Sequence, residues 1–219
     1  MSILLKGLGE ADVPVLVDDL PKKSRKKPVN TTNILHSAAD PDWITNPEIL
    51  AIERAMYAAL GQSEIDLDVF SCETANLVVK AKKIWTMSDD GFKQPWDCDA
   101  GHCNHPGGTT VEAWHKLVDE WRAGRCRRMT WIGFSVEQLC ILADPEKPGS
   151  YPHPMDFSTV YLRRRIPFLR ESDVLDPANR GPSRPAHGNY ATFVGIPTSV
   201  VDRFWAPLGR VFHGEFATA

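Results

Sequence analysis

The sequence predicts an α/β fold in which a mostly parallel sheet carries helices on both faces. Two observations predict it. Short runs of strand length take turns with stretches whose apolar residues recur at helical spacing, the pattern of strands joined by crossover helices. The chain has 219 residues, 42% of them hydrophobic, enough to bury one substantial core or two small ones.

Residues 1–33 stand apart as a flexible basic tail. Pro14, Pro21 and Pro28 interrupt them, and Lys22 to Lys27 is a basic run without apolar periodicity. They hold six basic side chains against four acidic, +2, which leaves −5 for the remainder of a chain of formal net charge −3. Such a tail is a solvated leader or an arm that grips phosphates by charge. The domain proper is expected over 34–219.

Within it, Pro47 to Leu60 reads as a helix with an Ile49, Leu50, Ile52, Met56 and Leu60 stripe, stopped by Gly61. Ile65 to Phe70 alternates as a strand. Glu73 to Lys83 reads as helical, and a turn follows at Ser88-Asp-Asp-Gly. Asp97 to Gly108, rich in Gly, Asp, His and Pro, reads as loop. The clearest helix is Thr109 to Arg122, with Thr109 or Thr110 as cap and Val111, Trp114, Leu117, Val118 and Trp121 on one face. Met129 to Phe134 is a buried strand and Val136 to Ala143 a short helix. Asp144 to Pro154, with four prolines, is loop. Phe157 to Leu162 alternates again, Asp173 to Asn189 is a long polar loop, and Tyr190 to Ile196 is a strand. Ser199 to Trp205 forms a helix and Gly209 to His213 a last strand. Ligands of such sheets sit beyond the carboxyl ends of the strands, here the loops after Phe70, Cys103 and Phe134.

No run approaches the roughly 18 apolar residues of a membrane helix, so no membrane partner is expected. The opening Met1-Ser-Ile-Leu-Leu-Lys is too short an apolar run for a signal peptide, so the cytoplasm is the expected location. The five cysteines, Cys72, Cys98, Cys103, Cys126 and Cys140, are an odd set that fits free thiols better than a disulfide framework. Cys98, His102, Cys103 and His105 crowd together, but no distant second ligand pair accompanies them, and no metal site is expected.

The chemistry-bearing segments come in a fixed order: Trp43-Ile-Thr45-Asn-Pro47, Asp66-Leu-Asp68-Val-Phe-Ser71-Cys72, Asp89-Asp90-Gly91-Phe92, Gln94-Pro-Trp96, Cys103-Asn104-His105-Pro106-Gly107, Arg164-Arg165 and His187-Gly-Asn189. In that order and spacing they resemble the phage-type DNA N6-adenine methyltransferase family, from about Leu35 to Phe216. The resemblance implies a Rossmann-like, S-adenosylmethionine-dependent methyltransferase fold. It implies double-stranded DNA as partner and, for phage proteins of this kind, shielding of DNA from host restriction in the bacterial cytoplasm.

Carried over by position, the resemblance implies cofactor contacts from Trp43, Thr45 and Pro47, the last displaced by the inserted Asn46. Asp68, Ser71 and Cys72 would line the cofactor pocket. Asp90 would accept the amino hydrogens of the cofactor adenine, a task for an acceptor-only group. The family's catalytic Asn-Pro-Pro-Tyr motif corresponds to Asn104, His105, Pro106 and Gly107. In that motif the Asn side-chain oxygen and the next backbone carbonyl accept the two hydrogens of the target amino group. The aromatic residue stacks on the flipped-out base. Here His105 keeps the carbonyl, whereas Gly107 removes the platform, and Trp96, His102 or His105 would have to supply it. Trp96, His187 and Asn189 are placed at the substrate pocket. Arg125, Arg127 and Arg128, with Arg164 and Arg165, are placed on DNA phosphates, or else are solvated helix ends. The alternatives are a catalytically inactive relative that binds DNA or protein, and a transferase for a different or modified base.

Overall fold

A computed structural model describes residues 43–142, 151–179 and 187–217. The expected tail over 1–33 lies outside them, as do most of the proline-rich loop after residue 142 and residues 180–186. The elements are α1 (Pro47–Ala59), β1 (Leu67–Asp68), α2 (Glu73–Val79), β2 (Lys83–Ile84), β3 (Gly101–Cys103), α3 (Thr110–Arg122), β4 (Met129–Gly133), α4 (Glu137–Leu142), β5 (Ser158–Leu162), α5 (Glu171–Leu175), β6 (Tyr190–Val194), α6 (Thr198–Trp205) and β7 (Gly209–His213).

The strands form one sheet in the order β2-β1-β3-β4-β6-β5-β7. The pairs β2–β1, β1–β3 and β3–β4 are parallel. The pairs β4–β6, β6–β5 and β5–β7 are antiparallel. The sheet is therefore mixed: half of its ladders are antiparallel, though β5 still runs in the direction of β1 to β4. Helices cover both faces. On one, α1 and α6 bury Leu50, Met56, Val201 and Trp205 against Ile132, Val160 and Phe193. On the other, α3 buries Trp114, Leu117 and Val118 against Met129, Trp131 and Tyr190. Alternate residues of β4 thus serve opposite layers, as the pleat requires.

Several boundaries depart from the sequence reading, for local reasons. The stretch read as a helix from Glu73 to Lys83 stops at Val79, where Lys80 takes a left-handed conformation (φ 57°). The Asn76 side chain then brackets Ala81 through both its N–H and its C=O and turns the chain into β2. Asp97 to Gly108, read as loop, contains β3, the buried middle of the parallel half. Glycine and histidine are poor strand formers alone. A Cβ at Gly101 would lie 2.5 Å from Met129 Cε, so a larger residue there requires the end of that side chain to move. Thr109 is the N-cap residue of α3, as expected, but its side chain makes no capping bond: the hydroxyl turns back to the Pro106 carbonyl, while Thr110 Oγ1 accepts from Gln138. The polar stretch from Asp173 carries the end of α5 and a 3-10 turn at Pro177–Asn179.

Gly195, just past β6, has φ +69°, and a Cβ there would sit 2.1 Å from the Arg127 carbonyl oxygen, which is backbone. Gly195→Ala is expected to lower stability by about 2 kcal/mol or more, read as a reduced midpoint in urea unfolding.

Candidate active site

The strand order reverses between β1 and β3: from β1 the chain moves outward to β2, then returns to the other side as β3. A crevice at such a switch point is where open α/β sheets hold ligands. The carboxyl edge at this point gathers Ser71 and Cys72 after β1, Asn104 after β3 and Phe134 after β4. Asn189 stands at the start of the antiparallel β6, and Arg163 to Arg165 follow β5.

The segment 43–46 lies across this edge. Ile44 and Leu169 exchange two backbone hydrogen bonds of 2.8 Å, and Asn46 donates to the Pro167 carbonyl while capping α1. The Asn104 amide nitrogen donates to the Trp43 carbonyl. With the N–H side committed, Oδ1 accepts no hydrogen bond among the described residues. The His105 carbonyl likewise accepts no hydrogen bond among them. Two adjacent acceptors are thus left open. Pro47 is the first helical residue of α1 and is exposed.

Beneath this edge lies a buried polar network. His102 Nδ1 is 2.8 Å from Glu53 Oε2, and its Nε2 is 3.1 Å from Thr45 Oγ1. Burial pushes the His102 pKa down, but Glu53 and then Asp68 outweigh it and hold the imidazole above its ordinary value. Asp68 is pushed up to about 6 by burial, against the pull of His102 and Ser71. Ser71 is near enough to exert that pull, yet its hydroxyl makes no hydrogen bond of ordinary geometry. Ser71 Oγ and Asp68 Oδ1 are both buried without a partner among the described residues, as is Glu53 Oε1. Cys72 caps α2 through its sulfur, 3.4 Å from the Ala75 nitrogen.

The remaining predicted residues divide. Asp90, in a left-handed turn (φ 57°), has its carboxylate 2.6 Å from Lys93, which lowers its pKa. An open cleft of about 570 Å³, lined by Phe92, Gly108, Thr109, Glu112 and His115, runs beside that turn. Pro106 lends its carbonyl to His105 and Thr109. His187 lies 3.8 Å from Glu137 on the carboxyl edge. Asn189 spends both ends of its amide on backbone, donating to Phe134 at 2.8 Å and accepting from Ile166 at 2.6 Å. It clamps the edge rather than facing a substrate.

Three aromatic expectations are corrected. Trp96 is fully buried, its indole N–H on the Gly91 carbonyl. His102 is held inside by Glu53 and Thr45. His105 is buried, stacked on Trp131 with ring centroids 4.5 Å apart. None of the three can stack on a base without unpacking the core. The aromatic on this edge that the sequence reading passed over is Phe134, half-buried and 5.5 Å from the His105 ring.

The arginines are also sorted. Arg164 and Arg165 are exposed on the carboxyl edge. Arg125, Arg127 and Arg128 precede β4, at the opposite end of the sheet from Asn104. There Arg125 is 2.5 Å from Glu120, and Arg127 is 3.7 Å from Asp99. A cleft of about 600 Å³ lined by Asp66, Cys98, Arg125 and Arg127 lies at that far end, away from Asn104.

Glu53 is the member of this buried network that the sequence reading did not single out, and His102 was considered there only as a stacking ring or a metal ligand. The available signal was Glu53 itself, an acid set into the apolar stripe of α1 between Leu50 and Met56. Among the described residues, no three His, Cys, Asp or Glu side chains converge as a metal site, and no helix is long and apolar enough to cross a membrane. No family model, curated protein or solved structure matches the chain.

Burial makes the site's pH response testable. The folded His105 pKa is near 4 against an ordinary 6.5, so stability falls as pH drops through that window. Asp68 works in the opposite sense: its folded pKa of about 6 exceeds the ordinary 3.8, so stability rises as pH drops from 6 toward 4. Each contribution is about 3 kcal/mol, and they offset. Asp68→Asn removes the second, so between pH 6.5 and 4 the variant is expected to lose about 2 kcal/mol more than the wild type. Urea unfolding across that range measures it, and parallel curves for the two proteins would contradict the burial of Asp68.

Proposed function

We propose that the protein is a Rossmann-like, S-adenosylmethionine-dependent transferase that methylates adenine N6 in double-stranded DNA. The observation that carries this reading is the pair of open acceptors, Asn104 Oδ1 and the His105 carbonyl, at the carboxyl end of β3. An adenine amino group offers two hydrogens to two such acceptors. Accepting them builds electron density on N6 and orients it for attack. With S-adenosylmethionine bound, Asn104 and the His105 carbonyl would hold N6 as it takes the methyl group from sulfur, and the extra N6 proton would pass to solvent.

The residues beside β1 that would hold the cofactor are Asp68 and Ser71. Asp68 Oδ1 and Ser71 Oγ are buried polar atoms without hydrogen-bond partners among the described residues; both can accept from the ammonium end of S-adenosylmethionine, and orphaned buried polar atoms invite a ligand. When bound, that cofactor supplies an electrophilic methyl group. Phe134, rather than Trp96 or His105, is the aromatic at hand for the flipped base. Arg164 and Arg165, with Arg163 beside them, lie on the same edge as Asn104. Arg125, Arg127 and Arg128 stand at the other end of the strands from Asn104, before β4.

A second reading, a cofactor- or DNA-binding protein without transfer, is favoured by Gly107. The stacking it forgoes is worth about 1–3 kcal/mol per base. A transferase for a different or modified base retains the same acceptor geometry.

Transfer of labelled methyl groups to adenine-containing DNA is expected in the wild type and is expected to fall about 100-fold or more in Asn104→Ala. Calorimetry with S-adenosylmethionine separates the readings: binding without transfer supports the second, and no binding excludes every transferase. Joint replacement of Arg164 and Arg165 by Ala is expected to reduce the salt dependence of DNA binding by about 1.8 in logarithmic slope. The same change at Arg127 and Arg128 is expected to leave it unaltered.

A further inference from the structure

We propose that His102 is a positioning residue, which sets the amide of Asn104 with its oxygen toward the reacting group. The importance of that orientation rests on the transferase reading, but the orientation itself does not. His102 and Asn104 lie two residues apart at the end of β3. From His102 Nε2 a hydrogen bond of 3.1 Å reaches Thr45 Oγ1. Two residues back along the chain, the Trp43 carbonyl returns to the Asn104 amide nitrogen. The circuit closes on itself through two backbone segments. Its anchor is the 2.8 Å contact of His102 Nδ1 with Glu53 of α1, and Glu53, His102 and Thr45 are all at most 3% exposed. The outer side of the segment is fixed separately, by the Ile44–Leu169 bridge.

The circuit matters because an amide has two chemically opposite ends. If the Trp43 carbonyl shifts, the Asn104 side chain can turn over and present N–H donors where the reaction needs an acceptor. His102 thus acts through residues 45 and 43, without touching a substrate.

Thr45→Val tests this without stranding a buried charge, since it removes one hydroxyl and leaves the Glu53–His102 pair whole. Exchange of the Asn104 side-chain NH₂ protons with solvent, followed by NMR and assigned by their loss in Asn104→Ala, is the primary readout. Loss of one hydrogen bond in the circuit is expected to speed that exchange about tenfold. Thr45→Ser restores the hydroxyl and is expected to restore slow exchange. His102→Gln, which keeps a donor for Glu53, is expected to behave as Thr45→Val does. In the transfer assay kcat falls about tenfold in the Val variant while the KM for DNA holds. Unchanged Asn104 exchange in a folded Thr45→Val protein overturns the proposal. If the wild type shows no cofactor binding and no transfer, the transferase reading fails, and the exchange readout still decides the role of His102.

Discussion

The buried contact between Glu53 and His102 is the constraint around which this edge of the protein is organised. Two ionisable groups removed from water are costly unless they satisfy one another, and leaving either alone costs about 3–5 kcal/mol. Here the contact joins α1 to the centre of the parallel half of the sheet. Because α1 is held there, the preceding residues must cross the carboxyl edge at β3, and so Trp43 meets Asn104. Asp68, on the neighbouring strand, feels the same network: His102 lowers its pKa while burial raises it. The polar core and the candidate reaction centre are therefore one mechanical unit.

The sheet separates two electrostatic neighbourhoods. At its carboxyl edge, exposed Arg164 and Arg165 flank an arrangement of open acceptors and buried orphans. At its amino edge, Arg125 and Arg127 already face Glu120 and Asp99, and Lys82 faces Asp66. Sequence proximity to a long helix grouped Arg125, Arg127 and Arg128 with the site. Strand direction, which a one-dimensional reading does not fix, divides them from it.

What the sequence made legible follows from what local patterns encode. The long periodic elements α1, α3, β4 and β6 were readable because their apolar spacing matches a single buried stripe or a fully buried strand. β3 was not, since Gly101 and His102 are strand residues only by virtue of their neighbours: the end of Met129 packs against Gly101, and Glu53 makes a buried histidine tolerable. The parallel order of β1 to β4 was anticipated from alternation, whereas the antiparallel β6 and β7 carry no local mark of direction. Asn104 could be singled out from its motif. Its orientation depends on a carbonyl 61 residues away, and the burial of Trp96, His102 and His105 depends on packing that composition does not specify.

The group that holds Asn104 in place belongs to the main chain at residue 43, not to a side chain. Every amino acid supplies that carbonyl equally, so the anchor is insensitive to what residue 43 is. Substitution there can drift without loosening that contact, while the backbone path that delivers the carbonyl is under far tighter control. Mutational robustness at one position is thus obtained by concentrating vulnerability in the interior residues that steer the chain.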